Sequence, residues 1–96
     1  MIASFRDAET ERLWRTGRSR RLPSTVQRRA FRKLALLNAA VNLENLRVPP
    51  GNSLEVLRGR REGQHSIRIN DQYRVCFRWH EGNAYTVEIV DYHQER

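Results

Sequence analysis

Residues 64–93 alternate apolar and polar side chains through three consecutive segments. Tyr73, Val75, Phe77 and Trp79 occupy odd positions, and Arg74, Cys76, Arg78 and His80 the even ones between them. A period of two with one apolar face is the signature of a half-buried strand. Ile67 and Ile69 extend the odd set upstream, and Tyr85, Val87 and Ile89 extend it downstream. Asn70-Asp71-Gln72 and Glu81-Gly82-Asn83 separate the segments and suit hairpin turns. Directly paired residues share a face, so the odd sets must pair with one another. A three-residue loop at Glu81-Gly82-Asn83 is therefore expected, setting Trp79 against Tyr85, Phe77 against Val87 and Val75 against Ile89. Gly82 or Asn83 then takes a positive φ. A matching first turn puts Arg68 opposite Arg74, with Val90 on the other flank of Arg74.

The first half of the chain has helical periodicity. Asp7 is placed to cap a helix whose first turn carries Glu9 and Glu11, and Gly17 is placed to stop it. Thr10, Leu13 and Trp14 share a face of that helix. Ser24 and Gln27 have capping-box spacing for a second helix. Its apolar stripe is Val26, Ala30, Leu34, Leu37 and Val41, while Arg28, Arg29, Arg32 and Lys33 read as a solvated back. Ile2 and Phe5 suggest a short opening strand, and residues 42–46 a further helical turn. The order β-α-α-β-β-β implies an α+β fold, with an antiparallel C-terminal sheet packed against two N-terminal helices. One domain spanning residues 1–96 is expected.

Charge adds a direction to this frame. The net charge is +7, carried by 17 arginines and one lysine. Such a surface favours polyanions, and guanidinium groups favour forked contacts to phosphate. A solitary cysteine, Cys76, excludes an internal disulfide. Neither a signal-peptide core nor a membrane span is visible, so a cytoplasmic location without membrane attachment is expected. The histidines, His65, His80 and His93, fall on different predicted strands, and there is no CxxC, P-loop or GxSxG. No metal and no cofactor are expected.

The remaining candidate chemistry is cleavage of RNA by its own ribose. A 2′-hydroxyl attacks the adjacent phosphate when a base removes its proton, cations stabilise the phosphorane and an acid protonates the leaving 5′ oxygen. Arg74 and Arg58 are candidate cations, and His93 a candidate for proton transfer. Asp91 is placed to orient His93 or share its proton, and Tyr92 to bond or stack on a base. Arg68 and Arg78 share the face of Arg74. The loop Arg58-Gly59-Arg60-Arg61-Glu62-Gly63 brings further cations and backbone N–H groups.

Read together, several motifs carry a resemblance. They are Leu54-Glu55-Val56-Leu57-Arg58-Gly59, Arg61-Glu62-Gly63, Ser66-Ile67-Arg68-Ile69-Asn70, Gln72-Tyr73-Arg74-Val75, Phe77-Arg78-Trp79 and Asp91-Tyr92-His93. In this order and spacing, over nearly the whole chain, they resemble the HigB branch of the RelE/ParE toxin superfamily. The resemblance implies a RelE-like two-layer domain and a type II toxin that cleaves mRNA on the ribosome without metal. It also implies a HigA-like helix-turn-helix antitoxin, with operator DNA bound through the complex. Family positions map onto Arg58, Arg74, Asp91, Tyr92 and His93. This chain departs at Glu55, where some members carry histidine, and at Arg60, where an acidic residue is common. A carboxylate is the poorer acid at neutral pH, which implies weaker catalysis. Two other readings follow from the same residues: a blocker that binds RNA or the ribosome without cutting, and a ParE-like inhibitor of gyrase.

Overall fold

The computed structural model describes residues 1–92. Helix α1 (Ala8–Thr16) opens as expected: Asp7 Oδ1 accepts the Thr10 N–H at 2.7 Å, and Gly17 closes the helix at φ 78°. Helix α2 (Ser24–Ala39) starts differently. Pro23 precedes it with no side-chain cap. Gln27 turns back instead, donating from Nε2 to the carbonyls of Ser19 and Leu22 and accepting the Ser19 N–H. The capping-box residue thus ties down the basic loop between the helices. The helix ends before Val41, which is 78% exposed; Ala40 takes the buried place expected of it.

Four strands follow, β1 (Glu55–Val56), β2 (His65–Arg68), β3 (Tyr73–His80) and β4 (Asn83–Asp91), in that spatial order and antiparallel throughout. The apolar stripe of α2 and Leu13 of α1 pack on Ile67, Ile69, Val75, Phe77, Ala84 and Val87 to form the core. The opening segment is extended but is no regular strand. It meets β4 through two isolated parallel bridges, Ile2 to Ala84 and Phe5 to Val87.

The second hairpin departs from the expected register. Its turn has two residues, Glu81 (φ 47°) and Gly82 (φ 81°). Both are left-handed, as a type I′ turn requires. His80 therefore pairs with Asn83, Trp79 with Ala84 and Arg78 with Tyr85. Left alone, this register would turn Val87 and Ile89 away from the core. A bulge restores them: Thr86 and Val87 together stand opposite Phe77, with Thr86 at φ 51°. Beyond it, Val75 faces Ile89 and Arg74 faces Val90, as the alternation predicts. Tyr85 is the displaced residue, sharing the outer face with Arg78. The first turn matches expectation, and Arg68 lies opposite Arg74.

The face away from the helices has its own apolar patch. Leu57, Cys76 and Val90 cluster there, and Cys76 is fully buried. Each large apolar side chain removed from water contributes roughly 1.5–3 kcal/mol. The outer face is thus partly closed, which matters for Arg74 beside it.

Candidate functional site

Arg74 projects from β3 onto this second face, and its side chain is only 7% exposed. A guanidinium buried to that degree needs partners. Its Nε donates to Ser66 Oγ at 2.8 Å, and its Nη2 donates to the Ser53 carbonyl at 2.5 Å. The Tyr92 ring lies beneath it, 5.3 Å from centroid to Cζ. These contacts fix the plane of the group. Nη1 faces Glu55, whose Oε1 is 3.8 Å away, beyond hydrogen-bond distance. Glu55 reaches there because it pairs with Ser66 across β1 and β2, which puts all of them on one face.

The pairing of Arg68 with Arg74 sets like charges opposite each other, ordinarily a destabilising arrangement. The two guanidinium groups diverge. Arg74 turns to Ser66 and Ser53, while Arg68 bonds Asp71 in the adjoining turn.

The loop arginines divide into two kinds. Arg61 is an internal brace, donating from Nη1 to Gln64 Oε1 (3.1 Å) and Glu88 Oε2 (3.2 Å). Glu88 also receives Arg6 at 3.4 Å, so one carboxylate ties loop, sheet and N-terminal segment together. Arg58 and Arg60 are exposed on the loop. Arg78 leans across it: a Cβ on Gly63, at φ 88°, would lie 2.5 Å from Arg78 Nη1. The backbone angle favours glycine, and any larger residue would displace the Arg78 head group.

At the end of β4 the predicted triplet is divided. Asp91 pairs with Tyr73 and shares its face, where Gln72 Nε2 donates to Asp91 Oδ2 at 2.8 Å. Tyr92 lies with Arg74, and its N–H donates to the Gln72 carbonyl at 2.6 Å. Gln72 therefore holds both residues. His93 lies outside the described residues. A cleft of about 380 Å3 runs along β4 between Thr10, Leu22, Arg61 and Asp91, away from the Arg74 guanidinium. Among the described residues, no group of three or more His, Cys, Asp or Glu side chains could hold a metal ion.

The structure thus gathers Glu55, Arg68, Arg74 and Tyr92, arranges Arg58, Arg60, Arg61 and Arg78 about the neighbouring loop, and places Asp91 on the other face. Sequence reasoning missed Ser66, Ser53 and Gln72. Ser66 carried a usable signal: it is a small hydroxyl residue diagonal to Arg74 in the predicted register, within reach of a long side chain. Ser53 acts through its carbonyl, which no residue type announces.

Two helices against a four-stranded antiparallel sheet, with Arg68, Arg74 and Arg78 on the free face, describe a RelE-like toxin domain. Residues 3–93 match the family described as the RelE-like toxin of type II toxin-antitoxin system HigB, and the chain belongs to that family. It is 42% identical to Toxin HigB-1 of Vibrio cholerae, over 88% of this chain and 90% of that one. It is 29% identical to Endoribonuclease HigB of Proteus vulgaris, over 97% of this chain and all of that one. A protein of Haemophilus influenzae described as uncharacterized is 34% identical over 93% of this chain. Membership of a type II system implies an antitoxin partner. Among the described residues, no helix is long and apolar enough to cross a membrane.

Proposed function

We propose that this toxin is an endoribonuclease that cuts mRNA on the ribosome, using the ribose 2′-hydroxyl as nucleophile and no metal. The observation that carries this reading is the fixed guanidinium of Arg74. Two of its nitrogens are committed to protein acceptors, and Nη1 faces the half-exposed Glu55 beyond hydrogen-bond distance. A cation held in this way stabilises developing phosphorane charge without having to reorganise. Arg68 adds positive charge beside it, and Arg58 and Arg60 supply exposed cations on the loop.

In the reaction, the 2′-oxygen forms a bond to phosphorus and the bond to the 5′ oxygen breaks, leaving a cyclic phosphate and a free 5′-hydroxyl. One proton leaves the 2′-hydroxyl and one is delivered to the departing oxygen. We assign proton transfer to His93, with Glu55 as the second candidate, since an imidazole near its ordinary pKa of about 6.5 serves either role at neutral pH. Asp91 and Gln72 hold the strand end that leads into Tyr92 and His93. Tyr92 presents a ring on which a base can stack. The antitoxin is assigned as a HigA-like helix-turn-helix protein that carries the complex to operator DNA; co-purification from the native operon checks it.

The test is a translation extract programmed with a defined mRNA. Cuts mapped by primer extension are expected on ribosome-bound message, with free message nearly intact. A 5′-phosphate in place of the 5′-hydroxyl at the cut, equal cutting of free message, or no cutting of either would overturn the reading. A second reading, a blocker that binds without cutting, is favoured by Glu55, whose carboxylate competes with phosphate for Nη1. His93→Ala separates them: the nuclease loses growth inhibition and keeps antitoxin binding, whereas the blocker keeps both.

A further inference from the structure

Lys33 is the only lysine among 17 arginines, and it does not behave like the other basic residues of α2. Its side chain is partly buried, and its ammonium donates to Asn52 Oδ1. Asn52 is fully buried. Its Nδ2 donates to the carbonyls of Leu46 and Val48, which fixes the direction of Oδ1. Lys33 is therefore a lysine whose head group is held in place from below. An ammonium has three N–H donors, and Asn52 satisfies one.

The surroundings of that head group are cationic. Arg29 stands one turn earlier on α2, and the turn that carries Asn52 packs on β2, whose last residue is Arg68; both charges act on Lys33. Burial first, and then these two charges, hold the Lys33 pKa below the usual lysine range. Among the described residues neither Lys33 nor Arg29 has a carboxylate partner. Arg68 has Asp71, which stands 93% exposed in the turn. Arg68 is also the direct cross-strand partner of Arg74, so it links the candidate centre on the sheet to α2. A cluster of like charges built on a buried anchor costs stability while empty, and an anion seated in it relieves that cost.

We infer that Lys33, Arg29 and Arg68 form a second phosphate-binding site, which takes the RNA backbone at a nucleotide flanking the one held at Arg74. The inference rests on the nuclease reading for the identity of the strand, and on the charge geometry alone for the anion. Consecutive phosphates of one strand would then lie along a single cationic line, setting register without reading sequence. Continuity with Arg74 favours RNA over the other polyanion available to a toxin, an acidic segment of its antitoxin.

The probe is a fluorescent single-stranded 2′-deoxy oligonucleotide, which binds without being cut. Affinity is measured against salt for the wild type, Arg29→Gln, Lys33→Gln and Lys33→Arg. Each phosphate contact contributes roughly 0.7 to the slope of log affinity on log salt. Arg29→Gln and Lys33→Gln should each lower the slope by about that amount and weaken binding several-fold, and Lys33→Arg should restore both. Saturating oligonucleotide should also raise the Lys33 pKa followed by NMR. Arg29 is exposed, so Arg29→Gln reports on charge even where Lys33→Gln is lost to misfolding. An unchanged slope in Arg29→Gln, together with a Lys33 pKa indifferent to oligonucleotide, would overturn the site. So would a defect of these variants confined to antitoxin binding. If the slopes fall but ribosome-bound mRNA is not cut by the wild type, the site stands and the nuclease reading fails. If cutting proceeds and the slopes do not change, the reverse holds.

Discussion

Ser66 Oγ lies 2.8 Å from Arg74 Nε and is the buried acceptor that sets the plane of that guanidinium. Ser66 is itself fully buried, so no water replaces it when it is removed. Ser66→Ala leaves a charged donor without its partner, at a cost of about 1–3 kcal/mol. Because the serine acts through Arg74, the loss should appear mainly in the turnover of ribosome-bound mRNA, with a smaller change in RNA affinity. Urea unfolding and single-turnover cleavage, run side by side, check this. A variant that is destabilised yet cleaves at the wild-type rate would remove Ser66 from the site.

Arg74→Lys keeps the charge and discards the fork. A single ammonium nitrogen cannot stand at the separate positions of Nε and Nη2, so Ser66 and the Ser53 carbonyl cannot both keep their present bonds. Cleavage is expected to fall by roughly 10²-fold or more. Loss of the Ser53 contact should also loosen the 49–54 loop, visible as faster amide exchange there. Tyr92→Phe keeps the ring under the guanidinium, whereas Tyr92→Ala forfeits the roughly 0.5–2 kcal/mol of the cation–ring contact. Equal melting temperatures for the two Tyr92 variants would show that the stack contributes nothing.

Much of this arrangement was legible in the alternation of residues 64–93. Period two placed Arg74 between Arg68 and Val90 and put Tyr92 on the same face, because those pairings depend only on parity within the first hairpin and beyond the bulge. Parity misled at the second turn. There a two-residue I′ turn and a one-residue bulge offset each other, so Val75 kept its predicted partner while Trp79 and Tyr85 lost theirs. A compensated pair of shifts leaves no trace in hydrophobic periodicity, and threonine at φ 51° is a poor advertisement for a bulge. Asp91 and Tyr92 are adjacent in the chain, and adjacent strand residues point to opposite faces, so only Tyr92 reaches Arg74. Lys33 was hidden for another reason. Its partner Asn52 comes from the double-proline loop, and long-range contacts of that kind follow from the fold, not from local pattern.

The bulge makes its own prediction. Thr86 is β-branched and held in the left-handed region, where non-glycine residues lose about 1–2 kcal/mol. Its N–H donates to Ser4 Oγ at 2.8 Å, a bond from the backbone that any residue keeps. Thr86→Gly should therefore retain the bulge and stabilise the fold, raising the free energy of unfolding by up to about 1 kcal/mol, net of the extra freedom glycine gives the unfolded chain. Ser4→Ala should do the opposite, leaving the Thr86 N–H without its acceptor and loosening the N-terminal segment. Chemical denaturation of both variants measures the pair. A destabilised Thr86→Gly would mean that the threonine hydroxyl, which donates to the Tyr85 carbonyl, outweighs the backbone strain.

His65 sets a pH dependence apart from catalysis. Its ring packs 5.9 Å from that of Phe77, and its Nδ1 is buried without a partner among the described residues. Burial holds its pKa below the ordinary 6.5. The unfolded chain therefore binds this proton more readily than the folded one between the two values. Stability from this group is complete above pH 6.5, declines as the pH falls through that window and levels off below the folded pKa. His65→Phe keeps a ring against Phe77 and removes the titration. The difference in urea midpoint between about pH 7.5 and about pH 5 should be smaller in the variant than in the wild type. Identical pH dependence in the two proteins would show that imidazole burial places no load on the fold.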